Sequence, residues 1–237
     1  MLGTIINVVS IFLGGLIGLL FHKKSPRVLG ERIMEGFGLF VIVIGVSGAM
    51  EGNNSLLYIV SIILGALIGE SLRLEKKLNS FTGYLEKKFV KEKNDGFKEG
   101  FISTTILFCV GAMAIIGPMN GVLKGDYEIL MIKSTLDGVT AFIFASAYGF
   151  SVLFSALSVL IYQGLVSLLA FILKDFLSTE TINNFSVMGS LLVAGIGFNM
   201  LKLSSKKINV VNLLPAIFIP ILYEPIKLLI EFIKDIN

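Results

Sequence analysis

Tryptophan is absent from this chain of 237 residues, and cysteine and histidine occur once each. The single Cys109 excludes an intramolecular disulfide and a thiolate metal centre, and inside an apolar run it reads as packing. The lone His22 lies in a basic connection with no nucleophile or acid beside it in sequence, so a catalytic pairing has nothing to build on. Neither a His-Glu-x-x-His string nor a Gly-x-Ser-x-Gly string is present, so no catalytic residue, metal or cofactor is expected and the chain reads as a non-enzyme. Charge is scarce too: 16% of residues are charged against 54% hydrophobic, with a mean hydropathy of +0.86. That balance excludes an ordinary soluble domain. The net charge of +3 comes from short connections rather than one basic face, so nucleic acid is not an expected partner. Ten-residue alternating strands, the mark of a membrane barrel, are missing as well.

Long apolar runs are what the chain has instead. Each is close to the roughly 20 residues that cross a hydrocarbon core of about 30 Å as a helix, the form that satisfies every backbone group within its own segment. The expected fold is all-α, a polytopic transmembrane helix bundle of eight spans: residues 3–21, 34–50, 54–72, 101–117, 129–150, 151–173, 185–203 and 210–234. They form one integrated membrane domain, with residues 1–90 supplying the first three spans and a connecting helix, and 101–237 the other five. Lys23, Lys24, Arg27 and Arg32 follow the first span, eight Lys and Arg fall in residues 73–100, and Lys202, Lys206 and Lys207 follow the seventh span. The even-numbered connections are nearly free of them. By the positive-inside rule both termini then lie outside. The fifth connection, Gly149-Phe150-Ser151, carries no charge and contributes nothing to this count. The first run has no charge before it and no small-residue cleavage site after it, and reads as an uncleaved helix.

Val9 to Gly18 recurs as Val60 to Gly69 with eight of ten positions identical. Both copies are followed by basic residues, which fits two spans crossing in one direction. Gly14 with Gly18, and Gly65 with Gly69, are four apart and let helices approach closely. Internal helix duplication is also a habit of transporter folds. In the 73–98 connection Leu74, Leu78, Phe81, Leu85 and Phe89 fall at helical spacing between Lys and Glu. This predicts an amphipathic helix, lying on the inner membrane surface or packed against other connections. Residues 91–100 read as a flexible join.

An ionisable group at mid-membrane costs about 2.5 to 3.5 kcal/mol on insertion scales and therefore has a partner or a job. Asp137 sits near the centre of the fifth span with Lys133 one turn before it, an arrangement that reads equally as a neutralising pair and as a site. Gln163 is near the middle of the sixth span. If the fifth and sixth spans are antiparallel neighbours turning at Gly149, Asp137 and Gln163 come to similar depth, with Ser134, Thr135 and Thr140 adding hydroxyls. Asn7 falls at a depth close to Lys133. Such oxygens suit a cation or a polar solute. Gly117-Pro118 is expected to end the fourth span early, because proline lacks the amide donor; a plain external turn is the other reading. Pro215, Pro220 and Pro225 predict a kinked last span, and Glu224, Lys227, Glu231 and Lys234 a polar stripe along it.

Several strings carry a resemblance: Gly3-Thr4-Ile5-Ile6-Asn7, the repeated Leu-Gly-x-Leu-Ile-Gly, Cys109 through Gly117, Lys133-Ser134-Thr135-Leu136-Asp137-Gly138, Phe144-Ala145-Ser146 and Tyr162-Gln163-Gly164. Together they resemble the uncharacterised family of bacterial polytopic membrane proteins that includes YdfK and YqgA. The resemblance implies a multi-pass protein of the bacterial cytoplasmic membrane with no agreed substrate. Where the family carries serine and then an acidic residue after the glycine, this chain has Pro118 and Asn120. The expected function is a small-solute or ion permease with Asp137, Lys133, Gln163, Asn7 and Thr140 at its site and the bilayer and a small solute or cation as partners. The alternative is a non-transporting scaffold or sensor that binds lipid or a cytoplasmic partner through the basic 73–98 connection. Small-residue faces permit a homo-oligomer and serve intrachain packing equally well.

Overall fold

The computed structural model describes residues 1–24, 27–89, 96–109, 111, 113–172, 177–202 and 206–223. The described residues are helical almost throughout: α1 (Leu2–Lys24), α2 (Arg27–Met50), α3 (Ser55–Ser71), α4 (Leu74–Phe89), α5 (Phe97–Cys109), α6 (Met113–Leu123), α7 (Glu128–Tyr148), α8 (Leu153–Leu168) and α9 (Thr179–Met200). A last helical segment, α10, covers Val210–Tyr223 and is 3-10 in its middle, Leu214–Phe218, around Pro215. Pro225 and the stripe of Glu224, Lys227, Glu231 and Lys234 lie outside the described residues, as do residues 91–95 of the expected join.

The helices start and stop where local chemistry directs. Asn54 accepts the Leu57 amide at 3.1 Å and Ser178 the Thr181 amide at 3.1 Å, each satisfying an amide that the first helical turn leaves free. Arg73, at φ 51°, turns the chain between α3 and α4, which meet at 58°. Three described helical stretches are long and apolar enough to cross a membrane, Leu2–His22, Glu128–Leu168 and Thr179–Met200, and five if each of the two bent pairs, α3 with α4 and α5 with α6, counts as one. The stretch Glu128–Leu168 is not one straight rod. At Gly149, φ 71° and ψ −141°, a 3-10 turn through Val152 joins α7 to α8. His22 at the far end of α1 bonds the Ser146 carbonyl at 3.0 Å, whereas α8 runs back along α1, with Leu153 against Gly15 and Gly164 near Met1.

Seams of small residues hold the bundle. α1 lies parallel to α7, where a Cβ on Gly14 would overlap the Gly138 carbonyl and one on Gly18 the Phe142 carbonyl. α2 lies antiparallel to α9, Gly45 against Ala194 and Gly197 against Ile42. α3 meets α10 with Gly65 on Ala216 and Gly69 on the Asn212 carbonyl. The two halves of the chain thus interleave. Their outer faces are apolar and exposed, as at Leu20, Val43, Leu56, Leu67 and Ile161, the pattern of helices solvated by lipid rather than water.

Two expectations need correction. α7 and α8 reverse at Gly149, but they do not pack along one another; α1, α5 and α6 each touch both. The helix break is also not at Gly117-Pro118, because Pro118 lies inside α6, where its missing amide forfeits one bond to a helix already begun. The break falls upstream at Gly111, whose φ of +115° is open to glycine and strained for other residues. α5 and α6 meet there at 52°.

Candidate functional site

Asp137 and Lys133 are both buried, at 6% exposure each, and form an ion pair across one turn of α7, with Nζ 2.9 Å from Oδ2 and 3.0 Å from Oδ1. Asn7 of α1 donates from Nδ2 to Asp137 Oδ2 at 3.0 Å. The seam of Gly14 and Gly18 on α7 brings these helices close enough for that bond. The pair is therefore neutral as a unit and is held by a third polar side chain.

The break between α5 and α6 stands beside the pair. α5 and α6 run opposite to α7, with Gly100 against Tyr148 and Gly121 against Tyr127. On that register the residue opposite Asp137 is Gly111. Cys109 lies within electrostatic reach of both Lys133 and Asp137, and Tyr162 of α8 within reach of Cys109. A helix interrupted at this level leaves carbonyls at the end of α5 and amides at the start of α6 without intrahelical partners.

Several buried polar atoms here have no hydrogen-bond partner: Thr4 Oγ1, Asn7 Oδ1, and both Oε1 and Nε2 of Gln163. Thr4 precedes Asn7 by three residues and shares its helix face. α8 is antiparallel to α1 with Leu153 at Gly15, so ten residues further on Gln163 stands opposite residue 5 of α1, level with Thr4 and Asn7. A fifth such atom among the described residues is Ser61 Oγ on α3. Other buried hydroxyls close onto backbone, as Thr104 does onto the Gly100 carbonyl at 2.6 Å and Ser134 onto that of Leu130 at 2.6 Å. A buried polar atom without a partner costs about 1 to 3 kcal/mol, and four of the five such atoms among the described residues fall at this level.

The structure thus joins Asp137, Lys133 and Asn7 by direct bonds and sets Gln163 on their level without a bond to them. Thr140 is half-buried one turn beyond Asp137, and no hydrogen bond ties it to the pair; Thr135 is exposed and bonds the Met131 carbonyl at 3.2 Å. Thr4, Gly111 and Tyr162 were not singled out by sequence as members of the site. Thr4 had a signal in its spacing of three from Asn7. Gly111 had none louder than the Gly-Pro pair after it. No group of three or more His, Cys, Asp or Glu among the described residues is placed to hold a metal.

A protein-family model described as a protein of unknown function, DUF554, matches residues 2–224. The chain belongs to this family. Similar proteins include the uncharacterized membrane protein YdfK of Bacillus subtilis, 32% identical over 224 residues that make up 93% of this chain and 94% of that one. The uncharacterized protein YqgA of Escherichia coli is 31% identical over 222 residues, 92% of this chain and 94% of its own. No solved structure matches. With exposed apolar helices and a membrane protein among such close relatives, this DUF554 chain is a membrane protein.

Proposed function

We propose that the chain is a permease for a small polar solute or ion, with its site in the polar layer where α1, α7 and α8 meet the α5–α6 break. The observation that carries this reading is the set of unpartnered buried atoms on Thr4, Asn7 and Gln163 beside a buried ion pair. A pair that served packing alone would be closed off by apolar side chains, because unpartnered polar atoms only add cost. A helix broken at membrane depth is tolerated where it lines a polar cavity. The repeat of Val9–Gly18 in Val60–Gly69 fits internal duplication, and each copy is used as a packing face against a later helix. In this reading the protein sits in the bacterial cytoplasmic membrane with both termini outside, and it carries solute without chemical conversion.

The test is transport by the full chain in proteoliposomes offered a panel of amino acids, sugars and alkali or ammonium salts. Asp137→Asn and Gln163→Ala are expected to lower the uptake that the wild type shows by tenfold or more (about 1.4 kcal/mol per tenfold). Unchanged uptake in both would remove the site assignment.

A second reading rests on α4. Phe81 and Tyr84 are exposed beside the exposed Lys76, Lys77, Lys87 and Lys88, a surface suited to anionic lipid. A scaffold anchored this way would lose its function when the four lysines become glutamine, whereas a permease would keep transporting.

A further inference from the structure

We propose that Thr4 Oγ1, Asn7 Oδ1 and Gln163 Oε1 form a site for a monovalent cation, which enters as this layer gives up one proton to solvent. The inference rests on the permease reading and names the class of ion that the same site takes.

Asn7 settles the polarity of the layer. The carboxylate of Asp137 only accepts, so the Asn7 atom 3.0 Å from it is the amide NH2, and Oδ1 points away as a fixed acceptor with no donor. Thr4 adds a hydroxyl oxygen and Gln163 an amide oxygen, against a single N–H pair from Gln163 Nε2. Three neutral, unpartnered oxygens at one level of a buried layer are the ligand type of a hard cation.

Charge then limits which cation, and how it enters. Lys133 and Asp137 cancel. Of the other ionisable groups around Lys133, Cys109 comes from α5, and Tyr162 of α8 lies within electrostatic reach of Cys109; α1 offers Asn7 and Thr4, which are uncharged, and α6 carries no ionisable side chain. A cation added to this set leaves one net positive charge in a buried layer, which is unfavourable unless it is compensated. Loss of one proton from the layer restores neutrality for a monovalent ion and fails to do so for a divalent one. The exchange is one cation in and one proton out, with no bond to carbon made or broken.

The experiment uses the purified full chain in weakly buffered detergent, with lithium, sodium, potassium or ammonium chloride compared with choline chloride at equal concentration. At least one small cation is expected to raise Tm saturably and to release about one proton per chain. Thr4→Val and Gln163→Met, both close to isosteric, are expected to weaken its apparent affinity about tenfold. Lys133→Met combined with Asp137→Asn, which takes both charges out of the layer, is expected to lose the proton release. Equal Tm in every salt, equal affinity in both Thr4→Val and Gln163→Met, or a rise in wild-type Tm with no proton released overturns the proposal. Transport of an uncharged solute that fails in Asp137→Asn, together with no salt response, keeps the permease reading and removes the cation.

Discussion

Lys133 and Asp137 show most directly how much depends on single side chains. Truncating one partner strands the other charge where water cannot reach it, a loss of about 3 to 5 kcal/mol. Asp137→Leu is therefore expected to lower unfolding stability by about that much, and the double change Lys133→Met with Asp137→Leu to recover most of it, because no lone charge remains. Denaturant titration of the four proteins in detergent checks this through the coupling between the two sites. This pair was legible in the sequence, since four-residue spacing and the cost of buried charge fix it without any knowledge of the fold. Asn7 was legible by depth. Thr4 was not, because hydroxyls in membrane helices ordinarily close onto their own backbone, and only the finished structure shows that this one does not.

Among the elements, the seams depend on the absence of side chains. A Cβ on Gly14 meets the Gly138 carbonyl, whereas one on Gly36 meets nothing within 4 Å. Gly14→Val is expected to destabilise the protein by about 1 to 3 kcal/mol or more. Gly36→Ala is expected to be neutral or to add about 0.5 to 1 kcal/mol, since alanine loses less backbone freedom in a helix. Thermal unfolding of the two variants side by side tests both signs. Gly111→Ala forces a side chain into φ +115°, with nothing within 4 Å to clash, so its cost of about 1 to 3 kcal/mol is backbone strain alone. Its transport defect in proteoliposomes should exceed that of Gly14→Ala at matched stability. The small-residue faces could be read from the chain, but their partners could not. A stripe of glycines fits any other flat face, so nothing in sequence pairs α1 with α7 instead of with its neighbour α2. Likewise Gly117-Pro118 outweighed Gly111 as a breaker because proline announces itself, while a glycine breaks a helix only when the surrounding fold bends there.

The molecule as a whole is two interleaved halves, with α1 on α7, α2 on α9 and α3 on α10. All eight apolar segments expected from hydropathy contain helix in their described residues. Hydropathy and charge therefore gave the elements, and long-range packing decided the architecture. The orientation inferred from Lys and Arg is open to direct test in a Cys109→Ala background, which leaves no other thiol. Single cysteines in place of the exposed Asn53 and Lys124 are expected to react with a membrane-impermeant maleimide on intact cells, and those replacing Lys76 and Lys206 only after lysis. Asn7 and Asp137 are 130 residues apart in the chain, and that distance is also an interval of time. At about 5 to 20 residues synthesised per second, α1 emerges roughly 7 to 26 seconds before the helix that neutralises its polar face. During that interval Thr4 and Asn7 are in the membrane without their permanent neighbours, so the nascent protein must be sheltered by the insertion machinery or by a temporary helix. A ribosome that stalls before residue 128 leaves behind a fragment whose first helix has lost its counterpart, an early mark by which membrane quality control can recognise an unfinished chain.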